Sequence, residues 1–197
     1  MKRLALMLAA LLAPAATPRH ADAALIIDFF QDGANVLAYG QGTLNLASLT
    51  ATGGINATSQ VQGATATAII GSTSGAPVDF YSGSVNGPIS FGTDVTTYFA
   101  SSGTGLTFGI LGTPGLIVVP RGYTSGTFLA AGDVFAGQTF ASLGLNQGSY
   151  LYSFGSGANA DTITVNVGAV PEPASLAMLA VGLVGARAWR CSRRLAA

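Results

Sequence analysis

Between Ala24 and Ala169 the chain offers few groups able to do chemistry. The acids there are Asp28, Asp32, Asp79, Asp94, Asp133 and Asp161, the one base is Arg121, and lysine, histidine and cysteine are absent. A Ser-His-Asp relay therefore has no histidine to act as base, and a Ser-Lys variant has no lysine. Gly71-Ser72-Thr73-Ser74-Gly75 echoes a nucleophile elbow, but threonine stands where serine belongs, and the segment reads as a loop. Zinc and iron lose their usual ligands without Cys and His. No phosphate-cradling glycine loop with its lysine is present. Aspartates remain for acid–base work. Glycoside hydrolysis takes two carboxylates roughly 5 to 9.5 Å apart, one with a raised pKa. The six aspartates are scattered, most of them beside glycine or at strand ends, where Asp serves turns. Calcium accepts carboxylate and backbone oxygens; Asp28 and Asp32 lie close in sequence, but no calcium-loop motif surrounds them. The expectation is a protein that is not an enzyme, with no catalytic residue, no cofactor and no metal ligand.

Aromatic side chains are the other candidates. All ten phenylalanines and all six tyrosines fall in the same stretch. Tyr98, Tyr123, Tyr150 and Tyr152 are placed to stack on sugar rings if they lie on a sheet face or loop. Tyr150, Tyr152 and Phe154 share one face of a strand, and a core or edge stripe is the favoured reading. Arg121, between Pro120 and Gly122, pairs either with an acidic sugar or with an aspartate, and an ion pair is the expectation. Six acids against one base leave a net charge of −5 here, hidden by the zero of the whole chain. Nucleic acid, which needs a basic footprint, is excluded as a partner. Asn56-Ala57-Thr58 fits a glycosylation sequon and is taken as a chance match.

The elements that must position these groups are short strands. Ala24–Phe30 and Asn35–Tyr39 flank the turn signal Asp32-Gly33. Gly42–Leu49, Ala64–Ile70 and Val78–Tyr81 follow, and Asn86-Gly87-Pro88 marks a turn. Thr104–Leu111 and Leu116–Val119 surround Thr113-Pro114-Gly115. Asp133–Phe140 is a weaker strand. Tyr150–Phe154 and Thr162–Val167 read as a final hairpin over Gly155–Asn159. In the last strand the period of two puts Ile163, Val165 and Val167 on the core face. Eight to ten strands with regular turn signals define an all-β class, a single β-sandwich of jelly-roll-like or related type. Twenty-five of the 27 glycines lie here and exclude long helices. One helical turn is expected near Phe140–Leu145.

The two ends differ from this domain. Lys2 and Arg3 precede an apolar stretch from Leu4 to Ala13, followed by Ala21-Asp22-Ala23. This is a signal peptide, residues 1–23, with an Ala-x-Ala site formed by Ala21 and Ala23; a cut after Ala15 is the alternative. At the other end Pro171, Glu172 and Pro173 precede an apolar run from Ala174 to Ala186, then Arg187, Arg190, Arg193 and Arg194. Proline holds the triplet extended and open to a processing enzyme. The uncharged run reaches roughly 20 Å as a helix, against about 30 Å of hydrocarbon, a marginal span suited to transient retention. The arginines hold its far end in the cytoplasm.

Triplet, apolar segment and arginine-rich end, in that order, resemble the PEP-CTERM sorting signal of exopolysaccharide-producing Gram-negative bacteria. The resemblance implies recognition by an exosortase, a membrane-embedded transpeptidase-like enzyme, cutting at or near Pro171 to Pro173. A simple membrane anchor is the alternative. Gly42-Thr43-Leu44-Asn45-Leu46 is similar in style to the opening of small exported domains of this kind, a style that carries no catalytic residues. The expected organisation is a signal helix, an exported all-β domain over residues 24–169, and a sorting tail with a transmembrane helix over 170–197. The expected path runs through the inner membrane, with the domain in the periplasm, and then to the cell surface or outside. The expected partners are an exosortase, the inner membrane transiently, and exopolysaccharide. The leading role is structural or adhesive in an extracellular matrix; a carbohydrate-binding module is the runner-up, and a glycosidase the third.

Overall fold

Alternating apolar and polar residues lay the strands of this chain down as faces, one buried and one open. A computed structural model describes residues 24–168. The expected signal helix with Ala21 and Ala23, and the expected tail helix with Pro171, Glu172, Pro173, Arg187, Arg190, Arg193 and Arg194, lie outside the described residues. Among the described residues there are thirteen strands: β1 (Ala24–Asp32), β2 (Asn35–Gly42), β3 (Thr50–Ala57), β4 (Gln60–Gln62), β5 (Thr67–Ile70), β6 (Ala76–Ser82), β7 (Tyr98–Phe99), β8 (Ser102–Gly105), β9 (Phe108–Leu111), β10 (Leu116–Pro120), β11 (Leu129–Phe135), β12 (Gly148–Phe154) and β13 (Asp161–Val167). A 3-10 turn over Gly157–Asn159 sits between the last two.

They form two sheets. The first runs β12-β13-β1-β2-β11-β8, the second β3-β6-β10-β9-β5-β4-β7. All pairings are antiparallel except β1 with β13, where the first strand lies parallel to the last, Ala24 opposite Thr162 and Phe29 opposite Val167. Between the sheets, Leu25, Ile27, Phe29, Val36, Leu129, Phe135, Ile163, Val165 and Val167 from the first meet Ile70, Phe108, Ile110, Ile117 and Val119 from the second. Each such large side chain taken from water contributes about 1.5–3 kcal/mol. The core face expected for Ile163, Val165 and Val167 is the one observed. The class is therefore all-β, in two facing, sandwich-like sheets.

Four local readings are corrected. The expected strand Gly42–Leu49 ends at Gly42, and residues 43–49 cross as a loop to the second sheet. Side chains satisfy its amides: Leu44 N–H donates to Tyr123 Oη (2.9 Å), Asn45 N–H to Asp161 Oδ2 (2.6 Å) and Leu46 N–H to Ser125 Oγ (2.9 Å). Thr104–Leu111 is two strands in different sheets. Gly105, at φ +92°, turns the chain out of β8, and buried Thr107 takes the Ser72 N–H on its hydroxyl before β9 begins. Ala64–Ile70 starts only at Thr67, because Ala66 occupies the left-handed region at φ +49°. Asp133–Phe140 is shifted toward the N-terminus and stops at Phe135. The helical turn expected near Phe140–Leu145 is present, with Leu143 N–H to Thr139 O at 3.0 Å and Leu145 N–H to Phe140 O at 2.8 Å.

Candidate functional site

The outward face of the first sheet is the most distinctive surface among the described residues. Strand register arranges it in rows. One row runs Ser149–Asn166–Asp28–Tyr39–Gly132–Thr104. The next, toward one edge, holds Phe30, Leu37, Val134 and Ser102. Asn166 Nδ2 donates to Asp28 Oδ1 at 2.7 Å, and Tyr39 donates to Gln41 Oε1 at 3.3 Å. Tyr39 is 45% exposed. Beside it Gly132 carries no side chain, so a groove of about 370 Å³ opens between Tyr39 and Thr104, with Phe30, Leu37 and Val134 at its apolar end. A flat ring beside a shallow, mostly apolar groove, with the Ser102 and Thr104 hydroxyls on its far wall, can hold a small amphipathic ring by stacking and a hydrogen bond.

The tyrosines singled out from the sequence lie elsewhere. Tyr152 is buried and packs edge-on against Phe91 at 6.3 Å between ring centroids. Tyr150 packs on the same ring at 4.8 Å and donates to Asn146 O (2.8 Å). Tyr123 donates to Thr127 O (2.7 Å) while pinning the crossing loop, and Tyr98 donates to Asp94 Oδ2 (2.8 Å). Burial raises the Tyr123, Tyr150 and Tyr152 phenols; for Tyr98 the bond to Asp94 does so first. These four are core or loop fasteners. Tyr39 escaped the sequence reading, although its place in an alternating strand beside the turn was a signal that could have found it.

The carboxylates are likewise dispersed. Asp133 and Asp161 are both buried in the first sheet. β2 and β1 stand between their strands, and the register offsets them by six residues. Three strand spacings alone amount to about 14 Å, beyond the reach of a glycosidase pair. Each binds backbone instead. Asp161 accepts from the Asn45 and Thr162 amides, both at 2.6 Å. Asp133 Oδ2 accepts from Ser59 Oγ at 2.5 Å and from the Gly71 amide at 3.0 Å, which ties the first sheet to the second. Among the described residues its Oδ1 has no hydrogen-bond partner. Burial pushes this carboxyl up to about 6, against the opposing pull of the Ser59 and Gly71 hydrogen bonds. Asp28 and Asp32 lie four residues apart on β1, roughly 13 Å, too far to share one calcium ion. Among the described residues no three Asp, Glu, His or Cys side chains cluster in a way that could hold a metal ion. Arg121 Nε meets Asp79 Oδ1 at 3.5 Å in an exposed ion pair, the partner expected for it. Such a pair contributes about 0–1 kcal/mol.

Residues 169–194 match the protein family described as the PEP-CTERM protein-sorting motif. The matched stretch contains Pro171, Glu172 and Pro173 and all four tail arginines, and begins directly after Gly168, the last described residue. The described residues are thus all-β, and the chain bears a PEP-CTERM motif, the mark of an exported, membrane-anchored precursor processed by an exosortase. No curated protein and no solved structure gives a match.

Proposed function

We propose that this protein is an exported surface or extracellular-matrix component with a structural or adhesive, non-catalytic role in biofilm. On this reading residues 1–23 direct export and are removed after Ala23, the domain over 24–169 folds in the periplasm, and the tail over 170–197 holds the precursor in the inner membrane. Pro171, Glu172 and Pro173 are the element read by the exosortase, and Arg187, Arg190, Arg193 and Arg194 fix the tail's orientation. The sorting-motif match over 169–194 is the observation that carries the proposal. The dispersed, backbone-bound carboxylates support the non-catalytic part. Replacing Pro171, Glu172 and Pro173 together by alanine is expected to leave a full-tailed species in the membrane fraction. The parent protein is expected to yield a shorter species outside the cell, by intact mass, only in a host that carries the exosortase, and a full-tailed species in the membrane of a host without it. Loss of the tail and release despite the three alanines would sink the sorting claim.

A second reading, a carbohydrate-binding module for exopolysaccharide, draws on the Tyr39 groove. Stacking of a sugar ring on an exposed tyrosine is worth about 1 kcal/mol, on the scale of other aromatic contacts. Tyr39→Ala is therefore expected to weaken retardation in gels containing the host polysaccharide roughly fivefold to tenfold. Tyr98→Ala, in β7 of the other sheet, should leave it unchanged. Equal retardation of the Tyr39→Ala and parent proteins would remove this reading.

A further inference from the structure

Two sheets have four edges, and three of them are short or partly covered. On β12 Ser153 exchanges both backbone hydrogen bonds with Asn86, at 2.8 and 2.9 Å, so a passing segment occupies that edge at Ser153. β7 is two residues long and β8 four. The fourth edge, β3, is eight residues, Thr-Ala-Thr-Gly-Gly-Ile-Asn-Ala, and every residue from Thr50 to Asn56 is exposed. It carries no charge and no proline, the side chains that natural edges use to repel a second strand. A bulge at Thr52 leaves a regular run from Gly53 to Ala57. In that run Gly53 lies in open space, while Gly54 is closed over by its own neighbours, Val78 O, Asp79 Oδ1 and the Arg121 guanidinium, which also donates to Ile55 O at 3.5 Å. The bare backbone at Gly53 suits close approach by another backbone.

The geometry points to β3 as a self-association edge, pairing antiparallel with β3 of a second copy so that the two seven-stranded sheets become one. Three observations favour a second copy as the occupant. An edge strand brought to itself by a two-fold axis is self-complementary in its hydrogen bonds without any matching of side chains. The partner must offer an equally long, uncharged, open edge, and this chain supplies one. The charges nearest to β3, Asp79 and Arg121, compensate each other, so the overall excess of acid does not repel copies at this edge. The inference stands independently of the sorting reading, because it concerns the folded domain and not the tail.

The test is a single-cysteine scan in the full chain, purified in detergent with Cys191→Ser to remove the native thiol. Ala51→Cys, Thr52→Cys, Ile55→Cys and Asn56→Cys sample β3, and Val95→Cys, on a loop and 75% exposed, reports random collision. After mild copper–phenanthroline oxidation, covalent dimer on non-reducing gels is expected to peak at one or two β3 positions, several-fold above Val95→Cys. Adding Ile55→Lys to the best-coupling variant is expected to bring its yield down to the Val95→Cys level, while circular dichroism keeps the β signature. Dimer yields that are flat across β3 and equal to the loop control, or a peak unmoved by the lysine in a folded protein, would overturn the proposal.

Discussion

Asp133→Asn is expected to make the protein more stable at neutral pH and to flatten its stability profile on the acid side. The Asp133 carboxyl is held by one serine hydroxyl and one amide on Oδ2, while Oδ1 is buried without a partner. Burial raises its folded pKa from 3.8 to about 6. The folded protein therefore binds this proton more tightly than the unfolded chain does. The contribution is fully present below about pH 3.8 and is lost as pH rises through about 6. Two pKa units correspond to about 3 kcal/mol of stability that the charged form forgoes at pH 7. An amide is neutral at every pH, keeps a carbonyl for Ser59 and the Gly71 amide, and adds a donor on the side where Oδ1 lies against Gly103 and near Gly71 O. Urea unfolding at pH 4, 5.5 and 7 is the check. The parent midpoint should fall across this window by more than that of the variant, and the variant should be the more stable at pH 7. A variant less stable at pH 7 would mean that Asp133 serves folding as a charged group.

Gly40→Val should act in the opposite direction and cost about 3 kcal/mol, the upper range for overpacking a core. Gly40 faces inward from β2. A Cβ there would sit 2.3 Å from Ile70 Cδ1 and 3.0 Å from the Phe108 ring. Both neighbours are fully buried, so neither can swing into solvent. The missing side chain is what lets the first sheet settle onto β5 and β9. Valine adds two methyls beyond that Cβ, and the sheets must separate locally to hold them. Alanine should be intermediate. The measured quantity is the urea midpoint at constant slope, and a Gly40→Val midpoint within error of the parent would show that the sheets repack freely.

Much of the fold was legible because many strands obey the period of two. Ile163, Val165 and Val167 against Thr162, Thr164 and Asn166 leave one choice of buried face, and β1 and β2 around Asp32-Gly33 are as clear. What escaped was of two kinds. β3 is exposed along almost its whole length, so it has no alternation to read. The run Thr104–Leu111 has good strand composition throughout, but whether it stays in one sheet depends on which neighbours wait at each end, and local pattern does not carry that. The candidate site was less legible for a related reason. Tyr152 and Tyr39 both sit in strand-like surroundings, and the neighbouring Tyr150 drew attention to the wrong one. What separates them is which face the opposite sheet covers, and that is set by register across strands far apart in the chain. The sorting motif, by contrast, is a local string, and could be read directly.

The parallel pairing of β1 with β13 has a consequence for when and where the chain can be cut. β1 is wanted at the start of folding, yet one of its two neighbours is the last strand to be made. Asn166 and Asp28, which join the two, are 138 residues apart. Pairings that distant form late, because a long loop must close before they stabilise anything. Until then one edge of β1 stands open. Once β13 docks, Val167 is fixed in the sheet and Pro171 lies four residues beyond it, a tether of no more than about 14 Å even when fully extended. If the exosortase cuts at the Pro-Glu-Pro triplet as proposed, it works on the finished domain with almost no slack, close against the end of the first sheet. On that reading the shape of that end, and the moment β13 locks in, set how readily the bond is reached.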